Sequence, residues 1–120
     1  MNIAPFNVKV ESLDDVVVFS ISGELDQATA SDLRDPLMET VNGETRAVLI
    51  DMADCGFIDS TGLGVIVEAW KLLEARDGER AGLSICCPKP EVKRLLEVTG
   101  LDQAIAIRDT RDEAIAALPS

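Results

Sequence analysis

Apolar and polar residues alternate at the start of the chain. Phe6, Val8 and Val10 are interleaved with Asn7, Lys9 and Glu11, the period of a half-buried strand. Leu13-Asp14-Asp15 reads as a turn, and Val16 to Ser22 as a second strand, antiparallel to the first. Gly23-Glu24-Leu25-Asp26 is expected to leave the sheet. The period then changes to that of a helix, with Ala30, Leu33, Leu37 and Val41 on one face and Asp26, Thr29 or Ser31 as its cap. Pro36 sits awkwardly inside that pattern, because an interior proline removes a hydrogen bond and usually kinks a helix.

Ala47-Val48-Leu49-Ile50 is a continuous apolar run, as expected for a strand covered on both faces. A loop is predicted over Asp51–Asp59, followed by a helix from Thr61 to Arg76 closed by Gly78. Its buried stripe is Leu63, Ile66, Val67, Trp70 and Leu73. Leu83–Cys87 reads as a strand, and Pro90 opens a helix that turns Val92, Leu95 and Leu96 inward and stops at Gly100. Ile105–Ile107 is a short last strand. Thr110 and Glu113 have capping-box spacing before a helix carrying Ile115 and Leu118. The order β-β-α-β-α-β-α-β-α implies an α/β fold: an N-terminal hairpin, then mostly parallel pairing through helical crossovers.

Composition narrows the function. With 120 residues, 47% of them hydrophobic, the chain suits one domain over residues 1–120. No apolar run approaches the ~20 residues of a membrane span. Met1 to Pro5 lacks the basic and apolar segments of a secretory signal, so a cytoplasmic location is expected. The formal net charge is −11, with eleven basic residues scattered among twenty-two acidic ones. Nucleic-acid binding is therefore not expected, since phosphate backbones require clustered cations. Cys55, Cys86 and Cys87 show no C-x-x-C spacing; on a strand, Cys86 and Cys87 would point to opposite faces and could not bridge. They read as small apolar residues in a reducing compartment. The absence of histidine removes the usual general base and the Ser-His-Asp and Cys-His systems. No enzyme, cofactor or metal site is expected.

The most informative stretch is Gly56-Phe57-Ile58-Asp59-Ser60-Thr61-Gly62-Leu63-Gly64. It joins a buried strand to an amphipathic helix, so Ser60 falls at or next to the helix N-cap. Most such serines are only caps, contributing ~1 kcal/mol. Gly62 and Gly64 need a further reason, because each costs ~1 kcal/mol relative to Ala in a helix. Either close packing on the sheet or close approach of another molecule's backbone would supply one. Gly62-Leu63-Gly64 is not a dinucleotide loop, since the third glycine of that fingerprint would fall at Val67.

Gly23-Glu24-Leu25-Asp26, Asp59-Ser60-Thr61-Gly62-Leu63-Gly64-Val65 and Leu95-Leu96-Glu97-Val98-Thr99-Gly100-Leu101 resemble the anti-sigma factor antagonists, single-domain STAS proteins of bacterial partner-switching systems. The resemblance runs from about Val8 to Leu118. It implies a STAS fold, with a mixed, mostly parallel sheet and about four helices packed mainly on one side. It further implies that Ser60 is the phosphoacceptor of an ATP-binding anti-sigma factor kinase. Gly23, Glu24, Asp26, Asp59, Ser60, Thr61, Gly62, Leu63 and Gly64 would form the partner-binding surface. The unphosphorylated form binds the kinase and frees a sigma factor, the phosphorylated form lets go, and a phosphoserine phosphatase resets it. A monomer or weak dimer is expected. A phosphate at the helix start would gain only ~0.3–1 kcal/mol from the dipole, whereas a two-state reversal needs ~5.5 kcal/mol, so the switch must act at the partner surface.

Three other readings compete. An aspartate-phosphorylated receiver would use Asp51 and Lys89-Pro90, but it needs a metal-binding carboxylate pair after the first strand, where Glu11, Asp14 and Asp15 fall in a predicted turn. A STAS scaffold or accessory subunit of a membrane transport complex would not use Ser60. An enzyme built on acids such as Asp51 and Asp54 has no supporting cofactor motif.

Overall fold

The computed structural model describes residues 5–78 and 82–119. Met1–Ala4, Glu79–Ala81 and Ser120 lie outside them. The elements follow the expected order: β1 (Asn7–Leu13), β2 (Val16–Leu25), α1 (Ala30–Val41), β3 (Ala47–Ile58), α2 (Ser60–Asp77), β4 (Gly82–Cys86), α3 (Pro90–Val98), a 3-10 turn (Leu101–Gln103), β5 (Ala106–Arg108) and α4 (Arg111–Ala116). The sheet runs β1-β2-β3-β4-β5, with β1 antiparallel to β2 and every later pair parallel.

Alternation along the strands divides the core between two faces. Phe19, Ile21, Val48, Ile50 and Ile85 join the buried residues of α1, α2 and α3 in the main cluster. Val18, Leu49 and Cys86 point the other way, against Ala114 of α4. Polar groups close this smaller layer. Buried Ser84 donates to the Ala114 carbonyl at 3.0 Å. The Arg111 guanidinium reaches Asp51 at 2.8 Å and Glu11 at 3.2 Å, joining α4 to β3 and to edge strand β1. Glu11 is thus a strand residue, and the tight turn is Asp14-Asp15, with Asp14 at φ 54°.

Three expectations are corrected. β2 continues through Gly23, Glu24 and Leu25, and β3 continues through the stretch predicted as a loop, Asp51 to Ile58. Both extensions pair with each other across two register shifts, Ser20/Ser22 and Gly23/Glu24. At each shift β3 carries one extra residue, so Met52, Cys55 and Ile58 are buried at a spacing of three rather than two. Asp51 Oδ1 accepts the Ala53 amide at 2.9 Å, satisfying a backbone group in the first bulge. The second bulge is matched by Gly23 at φ 90°, a left-handed conformation that favours glycine.

The stripe of α2 is the second correction. Ile66 and Leu73 are buried as expected, but their partners are Gly62, Val65 and Ala69, while Leu63, Val67 and Trp70 are half-buried. Third, Pro36 neither ends nor divides α1. Burial of Leu33, Leu37, Met38 and Val41 holds the helix through it, and Asp32, whose carbonyl loses its helical donor, is exposed to water.

Candidate functional site

The site forms where β2 and β3 end side by side, at the carboxyl edge of the parallel sheet. Leu25 pairs with Ile58, and the Asp59 amide donates to the Leu25 carbonyl at 3.1 Å. This brings the Gly23–Asp26 segment against the Asp59–Gly64 segment, although α1 and nearly all of β3 separate them in sequence. The Asp59 carboxylate makes the junction rigid. Its Oδ1 accepts the Gly62 amide at 3.0 Å, capping α2, and its Oδ2 accepts the Gln27 amide at 3.1 Å. Asp26 does similar work at the start of α1, where Oδ1 accepts the amides of Ala28 at 2.9 Å and Thr29 at 3.1 Å. Thr29 is the N-cap there, but its hydroxyl donates back to the Glu24 carbonyl at 2.7 Å instead of capping the helix.

The cap of α2 is therefore Asp59, and Ser60 is the first helical residue. Ser60 is exposed, and its hydroxyl makes no hydrogen bond among the described residues. A capping role, the most common use of a serine at this place, is thus already filled by its neighbour. We expect Asp59→Ala to destabilise the protein by ~0.5–2 kcal/mol through the lost cap, with some further loss from the Gln27 tie. Urea unfolding checks this; an unchanged midpoint would show that the junction stands without the carboxylate.

The two glycines have different surroundings. A Cβ on Gly62 would lie 2.7 Å from Leu25 Cγ, 3.0 Å from the Leu25 carbonyl and 3.1 Å from Ile58 Cγ1, so this glycine allows the helix to press onto the ends of β2 and β3. A Cβ on Gly64 would meet nothing within 4 Å, and the residue is exposed. Of the expected surface residues, Glu24, Ser60, Thr61 and Gly64 are exposed; Gly23, Asp26, Asp59 and Leu63 are half-buried; Gly62 is buried.

Beside this cluster, Gly56, Phe57, Ile58, Glu91, Val92 and Leu95 line a shallow groove of ≈220 Å³. Phe57 is 47% exposed, and sequence reasoning gave it no role. Its signal was present: between buried Cys55 and Ile58, an aromatic side chain on the outward side of a strand has no core to fill. The groove places Leu95, from the third resembling segment, beside Gly56, Phe57 and Ile58, which lead into the second. Cys55 lies beneath, fully buried, its thiol donating to the Phe57 carbonyl at 3.3 Å. Burial pushes this thiol above its ordinary pKa, which leaves it unreactive.

A family model described as the STAS domain matches residues 7–114. An anti-sigma F factor antagonist from Paenibacillus polymyxa is 31% identical over 112 residues, covering 92% of this chain and 93% of that protein. This chain belongs to the STAS-domain anti-sigma factor antagonists. An anti-sigma-B factor antagonist from Listeria monocytogenes is 35% identical over 115 residues, covering 94% and 95% of the two chains. The crystal structure of an anti-sigma factor antagonist from Mycobacterium paratuberculosis superposes with a TM-score of 0.85 at 29% identity, over 95% and 94% of the two chains. The STAS fold expected from the three segments is thus the fold observed, with α1, α2 and α3 on one face of the sheet and α4 on the other. Among the described residues of this antagonist-family chain, no helix is long and apolar enough to cross a membrane.

Proposed function

We propose that this single-domain antagonist works as a phosphoserine switch with Ser60 as the phosphoacceptor. The observation that carries the reading is the exposed Ser60 hydroxyl on the first turn of α2, without a hydrogen bond among the described residues, with the cap supplied by Asp59. The partner is an ATP-binding anti-sigma factor that is also a serine kinase. Unphosphorylated, the protein docks on it through Glu24, Ser60, Thr61 and Gly64, with Phe57 as an apolar anchor at the edge, and a sigma factor is released for transcription. Phosphorylation places ~1.5–2 negative charges at the centre of that surface, beside Glu24, Asp26 and Asp59. Docking then fails by charge repulsion and desolvation, and a phosphoserine phosphatase restores the binding form. The protein acts by binding in the cytoplasm and catalyses nothing itself.

Gly64 supports the docking surface independently. A glycine in an early helical turn weakens the helix, and no internal contact requires this one. Close approach of a partner's backbone gives it a reason. The test is the intact mass of the chain after incubation with the kinase and ATP-Mg²⁺. One phosphate is expected on the wild type and none on Ser60→Ala. A phosphate retained on Ser60→Ala would move the acceptor elsewhere and end the proposal.

A further inference from the structure

On the face of the sheet covered by α4, two cysteines stand together with a carboxylate. Asp51 pairs with Cys86 across β3 and β4, and Cys87 follows directly. Strand alternation would send Cys87 to the opposite face. Instead its backbone turns to φ 63° and its amide donates to the Arg108 carbonyl at 2.9 Å. The side chain returns to the α4 layer and packs with Cys86. The two Sγ atoms and an Asp51 carboxylate oxygen lie within 4.8 Å of one another, the one such group among the described residues. This overturns the expectation that these cysteines point apart.

The spacing selects among the uses of a thiol pair. Adjacent Cα atoms are ~3.8 Å apart, below the ~4.4 Å at which disulfides ordinarily begin. A tetrahedral zinc-class ion, with bonds of ~2.3 Å to sulfur and ~2.0–2.2 Å to oxygen, holds its ligands ~3.5–3.8 Å apart. The group lies within 4.8 Å, so its atoms need to close by about 1 Å at most to reach that spacing. Asp51 has coordination capacity left, since its two oxygens each hold one bond, to Ala53 and Arg111. Charge is largely offset: two thiolates and the Asp51 carboxylate meet a divalent ion and the Arg111 guanidinium, 2.8 Å from Asp51, which Glu11 shares at 3.2 Å. Cys86 is buried, while Cys87 is half-buried and gives the ion a way in.

We infer that Cys86, Cys87 and Asp51 bind one thiophilic divalent cation of the zinc class, with the fourth position open to water beside Cys87. Both thiol protons leave to solvent on binding. The inference is independent of the role of Ser60. The reduced full-length chain is titrated with Co²⁺, then with Zn²⁺. One equivalent of Co²⁺ is expected to give a thiolate-to-metal charge-transfer band in the near ultraviolet, displaced by one equivalent of Zn²⁺. Cys87→Ser, a change at a half-exposed position, should abolish the band and weaken binding at least ~10-fold, whereas Cys55→Ser should leave both intact. No band in the wild type, a band that survives Cys87→Ser, or loss of two thiols to a disulfide in place of metal uptake would each overturn the site.

Discussion

Ser60→Asp is expected to weaken binding to the anti-sigma partner by ~30-fold or more while leaving the fold as stable as before, or slightly more so. An exposed side chain without hydrogen bonds can be replaced within ~0.5 kcal/mol. A carboxylate in the first turn also gains a few tenths of a kcal/mol from the helix dipole. The loss comes from the interface, where burying an unpaired charge costs ~2–5 kcal/mol. Asp carries one charge against the ~1.5–2 of a phosphate, so the lower end of that range, ~2 kcal/mol or ~30-fold, is the appropriate figure. Titration calorimetry with the partner, alongside urea unfolding of the free protein, separates the two effects. Tight binding by a folded Ser60→Asp chain would rule out electrostatic blocking.

Gly62→Ala and Gly64→Ala are expected to move stability in opposite directions. At Gly62 the added Cβ meets Leu25 Cγ at 2.7 Å and the Leu25 carbonyl at 3.0 Å. Cγ belongs to a fully buried side chain and the carbonyl to a sheet strand, so neither yields freely. Overpacking of this kind costs ~1–3 kcal/mol, which exceeds the ~1 kcal/mol that Ala contributes as a helix former. A net loss of up to ~2 kcal/mol is predicted, read as a lower unfolding midpoint. At Gly64 only the helix term remains, and the free protein should gain ~1 kcal/mol. If Gly64 admits the partner's backbone, the same methyl group weakens binding even as it stabilises the monomer. A Gly64→Ala variant that is both more stable and equally tight in binding would remove Gly64 from the docking surface.

The positions of the two glycines show how far a linear reading reaches. Their cost to the helix was visible in the sequence, and so were the two reasons that could offset it. Which reason belonged to which glycine depended on Leu25, a residue that comes within reach of Gly62 only because β2 pairs with β3. The capping residue was decided in the same way. Ser60 and Asp59 are both good caps by type, and the Asp59 carboxylate took the role because it also reaches Gln27 across the junction.

The strands divide along the same line. Val16–Ser22 and Ala47–Ile50 were legible because apolar period and β-branched content report burial directly. The second half of β3 was not, because two bulges set its buried residues three apart and removed the period of two on which strand recognition depends. Cys86 and Cys87 failed for a related reason: alternation predicts opposite faces, and a single positive φ at Cys87 reverses it.

By itself, then, the sequence determined the order of elements, the α/β class and the serine at a helix start, because these follow from local period, capping preference and motif spacing. Only the tertiary structure decided that the hydroxyl has no hydrogen bond among the described residues, that the Gly23–Asp26 and Asp59–Gly64 segments form one surface, and that two thiols face one carboxylate. Each of these is a contact between residues distant in sequence or a break in local regularity, and such contacts are fixed by sheet register, which a single chain read in order does not carry.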